Sequence, residues 1–194
     1  MPKPTRRRHA PTIDEDDDTQ PLIVPRNERA LVPPDPARIR KLRRNIVSEL
    51  KDLRAGLHST PPATAAPPDP EGFTARVAIA ACTLCQGWCC KAGGDHAFLD
   101  DRTLARICRD HPGLGVRALL RLILDRLPRE SYQGSCVFHG KQGCTLDRTL
   151  RSDICNQYYC GGLGSFVTRG DPTRPVKIFA GEGRAMRTAP PLKP

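Results

Sequence analysis

Nine cysteines in 194 residues, eight of them in two tight groups, constrain this chain more than any other feature. The first group is CTLCQGWCC, which supplies Cys82, Cys85, Cys89 and Cys90. The second, SCVFHGKQGCTLDRTLRSDICNQYYC, supplies Cys136, Cys144, Cys155 and Cys160. Such a set can serve a metal site, a redox centre or a disulfide knot. In a reducing compartment, cysteines clustered at short spacing are more often metal ligands than disulfides, and nine cannot pair completely. The disulfide knot is therefore the weakest of the three. The CxxC spacing lets two thiolates converge on one ion, while Gly87 and its turn leave backbone N–H groups free to donate to sulfur. The second group has to fold back to the first, so an ion held by both would close a long loop and stabilise the fold directly.

The vicinal pair Cys89 and Cys90 adds a further expectation. Neighbouring side chains diverge in most backbone conformations, so they serve two ions, or two corners of a cluster, more easily than one tetrahedral ion. That predicts a dinuclear arrangement, or one ligand beside a free thiolate. Four-thiolate sites suit zinc, and thiolates also hold iron–sulfur clusters. The familiar bacterial cluster run ends in Cys-Pro, and no cysteine here precedes proline, which leans toward zinc.

Composition sets the surroundings. Apolar residues make up 38% of the chain and 20 residues are proline, so part of it cannot bury enough surface to offset the entropy of ordering. Residues 1–35 carry a basic run (Arg6, Arg7, Arg8), an acidic run (Asp14 to Asp18) and several prolines, and are predicted to form a disordered tail. Residues 36–58 place Ile39, Leu42, Ile46, Leu50, Leu53 and Leu57 at spacings of three and four. That is one apolar stripe of a helix, capped by Asp35 with Pro36 at its first position, and it is expected to dock on the domain rather than form a coiled coil. A proline-rich linker, 59–73, leads into a metal-binding module, 74–182, and 183–194 is expected to be a flexible tail. TARVAIAACT is too short for periodicity to decide between helix and strand. Within the module, one helix follows an Asp100 or Asp101 cap, and a second runs from about Gly115 to Pro128. These two are expected to hold most of the apolar core. VKIFAG, from Val176, is a short alternating strand. The predicted fold class is mainly α with minor β: a small, irregular, metal-stapled domain with a disordered N-terminal tail.

The formal net charge of +10 favours anionic partners, yet it counts thiols as neutral. A divalent ion bound by four thiolates carries about −2, so some of the basic excess offsets the site. A basic arm for nucleic acid is disfavoured by the acidic run that follows it. No stretch approaches the roughly 18 apolar residues of a membrane span, and no apolar region follows the basic start. The expectation is a cytoplasmic protein without membrane attachment.

CTLCQGWCC followed by C-x7-C-x10-C-x4-C resembles the YkgJ-type cysteine-cluster family, described as a zinc- or iron-chelating domain and named for its CxxCxxxCC signature. The resemblance covers roughly Ala80 to Cys160. Cys144, Arg151 and Cys155 fall in the family's places, whereas Ser152 stands where proline is common, a departure that loosens the loop before Cys155. The resemblance implies metal binding, as zinc or an iron–sulfur cluster, through all eight clustered cysteines. Because the family includes flagellin lysine N-methylases, it leaves open an enzyme with an iron–sulfur or dinuclear metal site that modifies a peptide or protein. A zinc module that binds nucleic acid is a weaker alternative.

Other residues have assigned expectations. Cys108 is read as a buried core thiol. His96 and His139 are read as core or turn residues before ligands. Trp88, Tyr158 and Tyr159 are expected to wall the site from solvent. Lys91 and Arg148 are read as surface charges, and Arg151 as a cation that offsets thiolate charge. The glycine runs GGDH and CGGLGSF are read as tight turns around metal, since they lack the context of a nucleotide fingerprint.

Overall fold

The computed structural model describes residues 18–56, 70–181 and 186–194. The expectations for residues 1–17, for 57–58 of the first helix with Leu57, for 59–69 of the linker and for 182–185 lie outside the described residues. In chain order the elements are β1 (Gln20–Val24), β2 (Leu31–Val32), α1 (Pro36–Arg54), α2 (Gly72–Cys85), a 3-10 turn (Trp88–Ala92), α3 (Asp101–Asp110), α4 (Val116–Leu124), β3 (Ser131–Tyr132), β4 (His139–Gly140), β5 (Gly143–Cys144), α5 (Asp153–Gln157), α6 (Gly161–Arg169), β6 (Val176–Ala180) and β7 (Arg187–Thr188). The fold class is mainly α with minor β. No described helix is long and apolar enough to cross a membrane.

The chain separates into two compact units, where the sequence predicts one module from 74 to 182. Among the described residues the cuts fall between Asn27 and Glu28, between Cys85 and Gln86 and between Tyr158 and Tyr159. The physical reason is that there are two separate apolar cores, each built from segments distant in sequence.

The first unit contains β1, α2, α6, β6 and β7. Its sheet has the order β1-β6-β7, with β1 parallel to β6 and β7 antiparallel. Leu22 sits opposite Ile178 and Val24 opposite Ala180. Residues 20–24 were expected in a disordered tail. They are ordered because PLIV buries Leu22 and Val24 against the core formed by Val77, Ala81, Leu163 and Ile178. Pro21 is tolerated because β1 is an edge strand. β6 is the central strand and buries consecutive residues Ile178, Phe179 and Ala180, so it does not alternate as predicted. The expected C-terminal tail is also ordered in part: β7 pairs with β6, and Leu192 exchanges backbone hydrogen bonds with Val176 at 2.9 Å. TARVAIAACT is helical within α2, and CGGLGSF forms α6 rather than tight turns, because Leu163 and Phe166 bury one face of that helix.

The second unit contains the remaining elements. The Asp35 carboxylate accepts from the Ala37 N–H at 2.7 Å and Pro36 opens α1, as the sequence predicts. Leu42, Ile46 and Leu50 are buried against α3 and α4, so α1 docks within its own unit. The Asp100 carboxylate caps α3 by accepting from the Thr103 N–H at 2.9 Å. α4 ends at Leu124, short of the predicted stop, although Leu127 still packs on the core. Phe138, Leu146 and Leu150, from the cysteine-bearing loops, complete that core beside Leu104, Ile107, Leu119 and Ile123. Residues 28–34, assigned to the tail from sequence, are a strap. β2 pairs antiparallel with β3, and Arg29 Nη1 donates to the Gln133 carbonyl at 3.1 Å. The strap fixes the segment that leads into Cys136.

Because α1 supplies three fully buried side chains, Ile46→Ala is expected to destabilise the protein by about 2–5 kcal/mol, the usual cost of a large-to-small core change. Denaturant unfolding measures this directly. A loss under about 0.5 kcal/mol, typical of a surface position, would mean that α1 is not docked.

Candidate metal centre

The second unit builds its cysteine site from a reversal at Gly87. This residue has φ +69° and precedes the 3-10 turn, in which the Cys90 N–H donates to the Gly87 carbonyl at 2.9 Å and the Gly93 N–H to the Cys90 carbonyl at 3.1 Å. The imidazole of His139 lies directly against Gly87, in the space a Cβ would occupy. Glycine is therefore required there both by conformation and by contact. Cys136 docks next to this turn: its N–H donates to the Cys90 carbonyl at 2.9 Å, and a Cβ on Gly93 would come within 2.8 Å of its own Cβ. In the β4–β5 hairpin, His139 pairs with Cys144. Backbone contacts thus link Cys90 to Cys136 and carry the chain through His139 to Cys144.

Cys155 comes from α5, and the loop before it is pinned, not loosened as Ser152 led us to expect. The Arg106 guanidinium donates to Asp153 Oδ1 at 2.7 Å and to the carbonyls of Thr149 and Arg151. From the other side, Arg38 of α1 bonds Asp95 and the Ser135 carbonyl beside Cys136. The Arg38 guanidinium holds the Asp95 carboxyl below its ordinary value. Sequence patterning does not signal the structural roles of Arg38 and Arg106, since both look like surface charges of amphipathic helices.

The thiols of Cys89, Cys90, Cys136, Cys144 and Cys155 act on one another electrostatically. The hydrogen bond between Cys89 and Cys90 is the largest influence on both, lowering Cys89 and raising Cys90. For Cys89 the N–H groups of Cys89 and Cys90 and the charge of Arg151 add to this, against the cost of burial. For Cys90, burial and the charges of Cys89, Cys144 and Cys136 push in the same direction as the bond. Burial pushes Cys136 up to about 12, opposed by the Phe138 N–H directed at its sulfur. Burial, then Cys144 and Cys89, push Cys155 up to about 11, with Arg151 and the Ser152 hydroxyl acting the other way. The vicinal side chains were expected to diverge. Within the tight 3-10 turn, however, the Cys89 and Cys90 thiols influence each other's proton affinity in opposite directions.

The other three predicted ligands lie in the first unit. Cys82 and Cys85 are three residues apart in the last turns of α2, Cys82 exposed and Cys85 buried in that unit's core. Cys160 is the residue before α6 and packs against the same core. All nine cysteines are free thiols, and among the described residues no three Cys, His, Asp or Glu side chains stand close enough to hold an ion as they are. Cys108 packs at the edge of the second unit's core, where burial raises its thiol.

The aromatic residues do not form the expected wall: Trp88 is 40% and Tyr158 53% exposed, and Tyr159 packs in the first unit. Lys91 Nζ lies 3.1 Å from the centre of the Trp88 ring, a cation–π contact rather than a charge left to solvent. His96 Nδ1 accepts from the Phe98 N–H at 3.0 Å and serves its local turn. His139 is fully buried, bonded through Nδ1 to Ser135 Oγ at 2.8 Å and tilted against Tyr132. Burial lowers its pKa to about 4, so the ring is neutral at physiological pH. A groove of about 470 Å³ lined by Arg129, Lys141 and Gln142 reaches Cys144 from solvent.

The five thiols, of which Cys89, Cys136 and Cys155 have N–H or hydroxyl donors acting on them, offer sulfur alone, which suits zinc or an iron–sulfur cluster and poorly suits hard, oxygen-seeking ions. Trp88, the only tryptophan, is adjacent to Cys89 and reports on the turn. Gly87→Ala is expected to displace His139, shift Trp88 fluorescence and destabilise the protein by more than about 1 kcal/mol. A double variant that also carries His139→Ala should recover part of that loss; equal loss in both would show that the contact with His139 is not the cause.

No family model, curated protein or solved structure matches this chain.

Proposed function

We propose that this is a cytoplasmic metal-binding protein of the cysteine-cluster type, which holds zinc or an iron–sulfur centre through Cys82, Cys85, Cys89, Cys90, Cys136, Cys144, Cys155 and Cys160. The observation that carries this reading is the mutual placement of five thiols from four separate segments of one unit, with backbone N–H groups, a hydroxyl and an arginine acting on their sulfurs. These thiols are free rather than paired as disulfides, so they remain available to give up their protons to a metal ion. The sequence resemblance to the YkgJ-type family points the same way. A groove reaches Cys144 from solvent, and Cys89 and Cys155 are exposed as well.

Anaerobic purification followed by elemental analysis and a visible spectrum tests this reading. Stoichiometric metal is expected, colourless with zinc or brown with iron and labile sulfide; a folded, reduced protein that takes up neither would overturn it. Cys136→Ser is expected to lose metal, while Cys108→Ser should retain it. Replacing Cys89 and Cys90 separately should lower the metal content by different amounts.

Binding should also strengthen with pH. The metal-free protein keeps Cys136 and Cys155 protonated, with pKa values raised from 9.0 to about 12 and about 11. Each ligated thiol must therefore release its proton, and affinity should rise about tenfold per pH unit for each proton displaced. In the metal-free protein these same two raised values contribute stability that is present below about pH 9 and lost as pH rises toward 11 to 12. Competition titrations between pH 6 and 8 measure the first effect, and an affinity independent of pH would contradict thiol ligation.

A further inference from the structure

Three of the six buried polar atoms left without a hydrogen-bond partner among the described residues lie within six residues of chain around Cys155: Arg151 Nε, Ser152 Oγ and Asn156 Oδ1. Ser152 is 1% exposed and occupies the cap position of α5, where a serine oxygen ordinarily accepts an N–H from the first turn. Here it makes no cap bond. Its own carbonyl takes the Asn156 N–H at 3.0 Å, and the Asp153 N–H is directed to Thr103 Oγ1 at 3.5 Å. The first turn of the helix thus leaves the Ser152 hydroxyl unpaired. Cys155 lies three residues on, one helical turn from the cap, and the hydroxyl acts on its thiol. Arg151 is held by Nη2 donating to the Leu146 carbonyl at 3.0 Å, which leaves Nε buried, and its charge acts on Cys89 and Cys155. Burying two donors with no acceptor is costly, and such a cluster is completed by an acceptor such as a thiolate.

We propose that Ser152 is a positioning residue of the metal centre: its hydroxyl donates to Cys155 Sγ, with Arg151 beside it, and together they present a donor edge to the thiolates that hold the ion. This inference rests on the metal-binding reading above. Donation from a hydroxyl draws charge from the sulfur, fixes the rotamer of Cys155 and gives the otherwise unpaired Ser152 an acceptor. The bond would be most favourable once Cys155 is a ligand, because a charged acceptor strengthens it.

The test compares Ser152→Ala and Ser152→Thr with the unaltered chain, using zinc by competition titration and cobalt(II) as a spectroscopic probe. Ser152→Ala is expected to weaken zinc binding about tenfold, the lower end of what loss of such a partner costs, and to shift the sulfur-to-cobalt charge-transfer band. Ser152→Thr, which keeps the hydroxyl, should restore both. If all three chains bind one complement of metal with affinities within about twofold and identical bands, metal binding stands and the role of Ser152 is overturned. If the unaltered, reduced chain binds neither ion, the metal reading fails, and a double-mutant cycle of Ser152→Ala with Cys155→Ala in denaturant unfolding then decides the bond. Non-additive losses support it, and additive losses overturn it.

Discussion

The hydrogen bond from the Cys136 N–H to the Cys90 carbonyl joins the two halves of the cysteine pattern within the second unit, and the rest of that site depends on it. It forms only because the chain reverses at Gly87, where His139 occupies the space of a side chain. His139 in turn belongs to the hairpin that carries Cys144. One left-handed glycine, one buried neutral imidazole and one backbone bond therefore determine where the thiols stand. A close-packed interior transmits such a constraint, since no member can shift without displacing the next.

Around this point the fold uses long cationic side chains as fasteners. Arg38 ties α1 to Asp95 and to the residue before Cys136, while Arg106 ties α3 to the loop before Cys155. Both reach backbone carbonyls that have no place in a regular ladder, which removes the cost of irregular loops around the site. Part of the large basic excess is thereby structural. Arg151 acts by its charge on the sulfurs of Cys89 and Cys155, and Arg38 on that of Cys136.

Much of the candidate site was legible in sequence. The cysteine spacing named the thiols, Arg151 was singled out as their counter-charge, and the stripe Leu42, Ile46, Leu50 with its Asp35 cap gave α1. Less legible were β1 and the strap at β2. Their segments are short and proline-flanked, and they become ordered only through partners about a hundred or more residues away. The coupling between the Cys89 and Cys90 thiols within a 3-10 turn was also not legible, because it depends on the backbone conformation of the turn. Ser152 attracted notice as an unusual residue, but nothing local shows that its buried hydroxyl makes no cap bond to the helix that follows.

The sequence by itself determined which chemistry is available: thiols in two groups, a basic surround, and helices whose periodicity and caps are local properties of the chain. The tertiary structure alone decided how those thiols are shared, with Cys89, Cys90, Cys136, Cys144 and Cys155 in one unit and Cys82, Cys85 and Cys160 in another. It also decided which donors face them. Spacing along a chain fixes neighbours within a turn or two, whereas the grouping of distant segments depends on which apolar faces find a common core, and here there are two.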